Sequence, residues 1–378
     1  MPLCDCICKP HVLTFVAITH LPDLAYDEHK DGSLEVVLNS MGYNLIKHDK
    51  TAVPGYLGHY IALSSKEKVA VIGVKGTSNV EDFFTDVCAA AVQYNLPNDG
   101  GSLTCHEGIY ISSERLHKQI LPTVRDLLIP SGYKIVVVGH SLGAGCGTIL
   151  SMLLRASIPV LRDDSDKLKV WAFASPPILD YKTALACKSH VTTVVNNADA
   201  VPRGSISPLV VTTKVLRAVD KRMKEQGLDL SSFKSTIAFM NKMKEGKDGE
   251  MLMSVDEIEK EWDTALEETD LNDSDYLYVP GNVVMMYNLW EQQEDVVQEE
   301  QDNEKKDMYT LIKEWIQRVE DTDMHSGDND INDYSTTAVE AVLCDGTCKA
   351  LRFIELDDRL LDDHMAPAYR ESIRNLLC

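Results

Sequence analysis

The chain has 378 residues, of which 44% are hydrophobic, and a formal net charge of −22. That length holds one elaborated α/β domain or two average ones, and the strong negative charge argues against nucleic acid as a partner. Ten cysteines in so long a chain do not describe a disulfide scaffold; Cys88, Cys146 and Cys187 sit in apolar surroundings and read as reduced core residues.

The first residues, 1–10, carry Cys4, Cys6 and Cys8 and lack a basic stretch before an apolar core, so they do not read as a signal peptide. The three cysteines read first as part of a frayed terminus, with acylation or metal binding as the alternative. No run reaches the ~18 apolar residues that a membrane span needs. The expectation is a cytoplasmic protein, peripherally associated with membranes. Residues 1–58 read as a mostly helical segment packing on the rest, with Leu34, Val36, Val37 and Leu38 feeding a helix that ends near Gly42. The alternation in 59–63 and the apolar run 69–74, joined by a turn, predict a hairpin with a buried second strand.

That strand ends in Lys75-Gly76-Thr77-Ser78. A small hydroxyl residue after a strand-end glycine can present its N–H to an oxyanion, although Gly-Thr-Ser alone is simply a turn. Next, Val80, Phe83, Phe84 and Val87, with Cys88 and Val92, make a short amphipathic stretch over 79–94. It fits a lid that opens at a lipid surface and fits a core helix equally well. Ile111, Leu116, Ile120, Val124 and Leu127 then repeat with helical period, capped near His106 and stopped by Pro130.

The organising stretch follows. Ile135 to Val138 are β-branched and apolar, a buried strand; Gly139-His140-Ser141-Leu142-Gly143 is a G-x-S-x-G; and Thr148 to Leu154 read as a helix. Strand, serine turn and helix form the context of a nucleophile elbow. The turn is tight, so Gly139 and Gly143 carry no side chain, and Ser141 is lifted above the strand ends. The plainer reading is a Gly-rich strand-to-helix turn with Ser141 as N-cap. Beside this elbow, Thr77 and the N–H of Leu142 become a candidate oxyanion hole.

Residues 168–173 and 190–195 predict two more strands. The second runs into Asn196-Asn-Ala-Asp199, and an acid just past a strand end is where a triad acid belongs; Asp180, past the preceding strand, is the competitor. Residues 212–248 read as a locally basic helix lying on solvent or on a membrane, and 278–287 as a turn plus strand. Between 291 and 333 lie fifteen Asp/Glu and four Lys/Arg, net −11 and half the total charge. This composition favours an insertion rather than a core. Within it, Met308, Leu311, Ile312, Trp315, Ile316 and Val319 form a regular amphipathic stripe, which fits a regulatory partner for a helix over 308–319. Residues 350–356 read as the last strand, followed by Asp363-His364 and a C-terminal helix. Cys344 and Cys348 are too few for a tetrahedral zinc site. A histidine after the last strand, in the order Ser141, Asp199, His364, has the chain order of a hydrolase triad.

Gly76-Thr77, His140-Ser141-Leu142-Gly143-Ala144-Gly145, Phe173-Ala-Ser-Pro-Pro177, Asp199-Ala-Val-Pro-Arg203, Pro280-Gly281 and Asp363-His364 together resemble the class 3 lipase family, and within it the sn-1-specific diacylglycerol lipases. The resemblance runs from about His59 to the C-terminus outside the acidic stretch. It implies an α/β-hydrolase domain over 59–378, with a mostly parallel sheet flanked by helices, a lid, and a regulatory insertion (here 291–349) before the last strand. It implies a serine lipase that hydrolyses diacylglycerol to monoacylglycerol and fatty acid through an acyl-enzyme, at a membrane or droplet surface. No metal or organic cofactor is required, and calcium is not indicated. Two other readings stay open: another carboxylic-ester hydrolase (a phospholipase A1, or a monoacyl- or triacylglycerol lipase), and a non-catalytic lipid-binding scaffold.

Overall fold

A computed structural model describes residues 33–50, 56–76, 91–98, 100–225, 253–289, 338–354 and 359–377. In chain order these form α1 (Ser33–Ser40), β1 (Asn44–Asp49), β2 (His59–Ser64), β3 (Val69–Val74), β4 (Ala91–Asn95), β5 (Ser102–His106), α2 (Glu107–Pro122), β6 (Lys134–His140), α3 (Leu142–Ser157) and α4 (Pro159–Asp163). There follow β7 (Leu168–Phe173), α5 (Tyr181–Ala186), β8 (Val191–Asn196), α6 (Ile206–Glu225), α7 (Val255–Glu267), β9 (Val279–Leu289), β10 (Ala338–Gly346) and α8 (Ala366–Leu377).

Eight strands make one sheet in the order β1-β2-β3-β6-β7-β8-β9-β10, and β4 pairs with β5 apart from it. The pairings β3–β6, β6–β7, β7–β8 and β8–β9 are parallel, while both margins are antiparallel. The central strands are VAVIGV, KIVVVGH, LKVWAF and VTTVVN. Such near-continuous apolar, β-branched runs suit strands covered on both faces. Alternation then sorts the side chains. Ile135 and Val137 pack with Ile109, Leu116 and Ile120 of α2 and Ile149, Leu150 and Leu153 of α3, whereas Val138 packs with Leu34 and Leu38 of α1 and Tyr369 and Ile373 of α8. The result is an α/β-hydrolase fold, a mainly parallel sheet between two helical layers.

Three stretches depart from the sequence-based expectation. Residues 44–49, read within a helical segment, form an edge strand on β2 with an irregular register between Leu45 and Lys47; polar residues and a bulge hide its period. Residues 91–95 pair with β5, whereas 91–94 are expected from sequence to end the amphipathic stretch over 79–94, as lid or core helix. Of the expected last strand 350–356, the described residues 350–354 are not extended, and the last strand among the described residues is Ala338–Gly346, paired with β9 from Ala338↔Leu289 to Gly346↔Val279. Lys349–Leu351 is instead a 3₁₀ turn, because Leu351 is drawn into a core with Val195, Val279 and Met285. Residues 338–346, counted from sequence with the acidic insertion, thus belong to the sheet. The rest of that stretch to 337, with the helix expected over 308–319, lies outside the described residues, as do Cys4, Cys6, Cys8 and residues 226–252. The described part of the basic stretch, α6, packs Val211 and Val215 against Ala265, Ile258 and Trp262 of α7.

Candidate active site

β6 ends at His140 and α3 begins at Leu142, leaving Ser141 alone between them with φ 56° and ψ −129°. A positive φ strains a residue that has a Cβ, and here the tight turn imposes it. A Cβ on Gly139 would stand 2.4 Å from the backbone of Gly143, and one on Gly143 would stand 2.3 Å from the Val74 carbonyl oxygen and 2.8 Å from the Gly76 nitrogen. The end of β3 therefore lies directly against the first turn of α3. The Leu142 N–H stands in that turn, among the amides that a helix N-terminus leaves without intrahelical acceptors.

Ser141 and His364 are each 4% exposed and Asp199 is fully buried. His364 Nε2 lies 3.1 Å from Ser141 Oγ, and His364 Nδ1 lies 3.0 Å and 3.1 Å from the two carboxylate oxygens of Asp199. Three residues from separate strand ends, β6, β8 and the segment after β10, are thus joined in one hydrogen-bonded chain. Asp180 is not part of it. It caps α5, its carboxylate accepting from the Lys182 and Thr183 N–H groups.

Each member is held by further contacts. The Tyr369 hydroxyl donates to Asp199 Oδ2 at 2.6 Å while accepting from the Asn196 N–H at 3.0 Å, and the Val201 N–H donates to Asp199 Oδ1 at 2.9 Å. Burial pushes the Asp199 carboxyl up, yet the His364 imidazole, the Tyr369 hydroxyl and the Val201 N–H together outweigh it and hold the group below the usual carboxylate range. The buried Arg203 guanidinium donates to the carbonyls of Asp199 at 2.6 Å, Asn197 at 2.9 Å and Ala350 at 3.0 Å, bracing the acid's loop. Asp363 accepts from Asn197 Nδ2 at 2.9 Å and the Ala198 N–H at 3.1 Å, tying the base's segment to the same loop.

His140 supports the base directly. Its Nε2 lies 2.8 Å from the His364 carbonyl oxygen. A carbonyl only accepts, so His140 carries its proton on Nε2 and donates. Burial, reinforced by the neighbouring His364, pushes the His140 imidazole down to about 3, so it is neutral. Sequence reading named Arg203 and Asp363 only as parts of motifs, His140 only as an elbow residue and Tyr369 not at all beyond its C-terminal helix; the local strings carry no sign of their long-range contacts. Thr77 and the stretch carrying Val80, Phe83, Phe84 and Val87 lie outside the described residues.

A buried hydroxyl joined through an imidazole to a buried carboxylate is the arrangement that activates a nucleophile by general-base catalysis. Residues 71–208 match the class 3 lipase family model. The chain is 34% identical over 159 residues to diacylglycerol lipase-alpha of Homo sapiens, covering 40% of this chain and 15% of that protein. It is 26% identical over 180 residues to diacylglycerol lipase-beta of Mus musculus, covering 46% of this chain and 25% of that protein. A Rhizomucor miehei lipase in complex with its propeptide is 20% identical, with a TM-score of 0.44, covering 52% of this chain and 64% of that one. The aligned region spans about a sixth to a quarter of the length of the two diacylglycerol lipases. Among the described residues, no helix is long and apolar enough to cross a membrane.

Proposed function

We propose that this chain, which belongs to the class 3 lipase family, is a serine hydrolase that cleaves an acyl ester of diacylglycerol to monoacylglycerol and free fatty acid. The observation that carries this reading is the chain of hydrogen bonds from Ser141 through His364 to Asp199. His364 takes the Ser141 proton as the hydroxyl attacks the ester carbonyl. Asp199 orients the imidazole and stabilises the imidazolium. The oxyanion is received by the Leu142 N–H at the start of α3, with Thr77 as its second donor. The protonated imidazole gives its proton to the departing alcohol, and water then attacks the acyl-enzyme along the same route.

The choice of diacylglycerol rests on similarity to proteins named for that activity. Val80, Phe83, Phe84 and Val87 are assigned to a lid facing the acyl chain, and the helix over 308–319 to a regulatory partner. The enzyme works at a membrane or droplet surface from the cytoplasmic side.

The test is a lipid digest. Wild type and Ser141→Ala are incubated with mixed micelles of diacylglycerol, triacylglycerol, monoacylglycerol and phosphatidylcholine, and products are read by mass spectrometry. Loss of diacylglycerol with gain of monoacylglycerol and fatty acid, in wild type alone, is expected. Preferential loss of phosphatidylcholine or triacylglycerol would replace the substrate and keep the chemistry. Equal turnover by Ser141→Ala would remove Ser141 from the mechanism.

A further inference from the structure

Behind the loop of Asp199 lies a small, partly open cavity of about 10 Å³, lined among others by Pro202, Ser205, Ser207, Tyr278, Leu351 and Arg352. Arg352 is 93% buried, being 7% exposed, and its Nε and Nη2 have no hydrogen-bond partner. The Ser207 hydroxyl is buried in the same space, facing the Tyr278 hydroxyl. A guanidinium keeps its charge at any physiological pH, so this is a buried cation to which no carboxylate among the described residues is paired. Leaving such a charge uncompensated costs several kcal/mol.

The same cavity receives the N-terminus of α6, a helix of 20 residues whose first described bond runs from the Leu209 N–H to the Ser205 carbonyl. The positive end of its dipole lies at the lining residues Ser205 and Ser207, where only Ile206 and Ser207 can supply first-turn amides, since Pro208 has no N–H and the Leu209 N–H is already bonded. There is no acidic residue in that first turn to answer them. Two positive contributions therefore converge on one space from different parts of the chain.

We propose that this cavity is an anion site and that its ligand is a monatomic halide, chloride in the cell. Size makes the choice. A volume near 10 Å³ takes about one water-sized sphere, which excludes phosphate, a lipid headgroup or a fatty-acid carboxylate. A single water would satisfy N–H groups and leave the Arg352 charge unanswered, whereas a halide does both. Arg352 stands two residues from Ala350, whose carbonyl Arg203 holds together with those of Asn197 and Asp199. Occupancy of the site thus stiffens the loop of the acid without touching the reacting atoms. The site does not depend on the substrate assigned above.

The experiment is thermal unfolding of the full chain in sodium chloride, sodium bromide and sodium gluconate at equal ionic strength, for wild type and Arg352→Met. A saturable rise in Tm of about a few degrees with either halide, absent in gluconate and absent in Arg352→Met, is expected. A rise equal in gluconate, or one retained in Arg352→Met, overturns the site. Anomalous diffraction from bromide-soaked wild-type crystals gives a readout that needs no variant. A peak beside Arg352 Nε and Nη2 supports the site, and its absence at saturating bromide overturns it.

Discussion

The Tyr369 hydroxyl donates a 2.6 Å hydrogen bond to Asp199 Oδ2, the same oxygen that faces His364 Nδ1 at 3.1 Å. One phenol therefore competes with the imidazole for the acid and at the same time keeps that acid ionised in a fully buried setting. Its own pKa is pushed well up, by burial first and by the Asp199 charge next, so it remains a donor throughout the working range.

Tyr369→Phe removes that donor. The Asp199 carboxyl then rises toward neutrality, because burial pushes it up and one of the groups holding it down is gone. A depressed carboxyl contributes stability that is present above its unfolded pKa and lost as pH falls through its folded value. The variant should therefore lose stability at a higher pH than wild type on acidification. Activity should fall about 10- to 100-fold, the scale of one hydrogen bond to a charged group. Tm measured across the acid range and kcat on a soluble short-chain ester check both; an unchanged acid limb would mean the phenol is packing only.

Asp180 and Asp199 were the two acids that sequence offered, and their surroundings separate them. Asp180→Ala should cost about 1 kcal/mol of stability through loss of the α5 cap and leave kcat near wild type. Asp199→Asn should lower kcat on the scale of ~10⁴, because the amide favours the wrong imidazole tautomer. Denaturant midpoints and single-turnover rates on the two variants decide the assignment, and a reversed pattern would give the acid's role to Asp180.

What was legible in the sequence is what local chemistry dictates. Gly139 and Gly143 mark the turn because a Cβ at either would collide with backbone, and apolar β-branched runs mark the buried parallel strands. Asp199 and His364 could be named because each directly follows a strand or a motif. The last strand was misplaced for a physical reason. Leu351 and its neighbours look like a strand, yet their backbone and side chains are claimed by Arg203 and by a core on β9. The Tyr369 contact spans 170 positions, and no periodicity encodes such a distance.

Ser141 sits at φ 56°, where a Cβ is penalised by about 1–3 kcal/mol. Ser141→Gly should relieve that strain and abolish turnover together. Net stabilisation of about 1 kcal/mol is expected after the extra chain entropy that glycine loses on folding. Ser141→Ala keeps the Cβ and should be inactive with little change in stability. Calorimetry on the pair reads the difference; an equal Tm for both would show that the surrounding turn does not strain the site.

His140 makes the fold sensitive to acid. Its imidazole is held neutral at about 3 in the fold but titrates near 6.5 when unfolded. The unfolded chain thus binds more protons between those values, and stability rises with pH across them. The contribution is complete above the unfolded pKa and is lost as pH drops. His140→Gln retains an N–H donor for the His364 carbonyl without a titrating group. Its unfolding free energy should depend less on pH between ~6 and ~4, by about 1.4 kcal/mol per pH unit. Urea titrations at pH 4, 5, 6 and 7 measure the slope; parallel slopes would assign the acid sensitivity to other buried histidines, of which His190 is also pushed down to about 3 by burial.

The acidic stretch can be removed by a rule of geometry. β9 and β10 run antiparallel, and Leu289 pairs directly with Ala338, so the chain leaves the sheet and returns to it at one place. Opposed residues in such a ladder stand about 5 Å apart, a gap that a two-residue turn closes. Replacing 290–337 with Asn-Gly should therefore preserve the sheet, the Arg203–Ala350 contact and the Ser141–His364–Asp199 chain. Net charge should rise by the 11 negative charges carried by 291–333. Near-wild-type Tm with altered turnover on micellar substrate, and unaltered turnover on a soluble ester, is the expected result. It would assign the segment to control of access. A soluble, folded product with both rates unchanged would assign it no role in the enzyme itself, and an insoluble product would show that its apolar stripe over 308–319 belongs to the core.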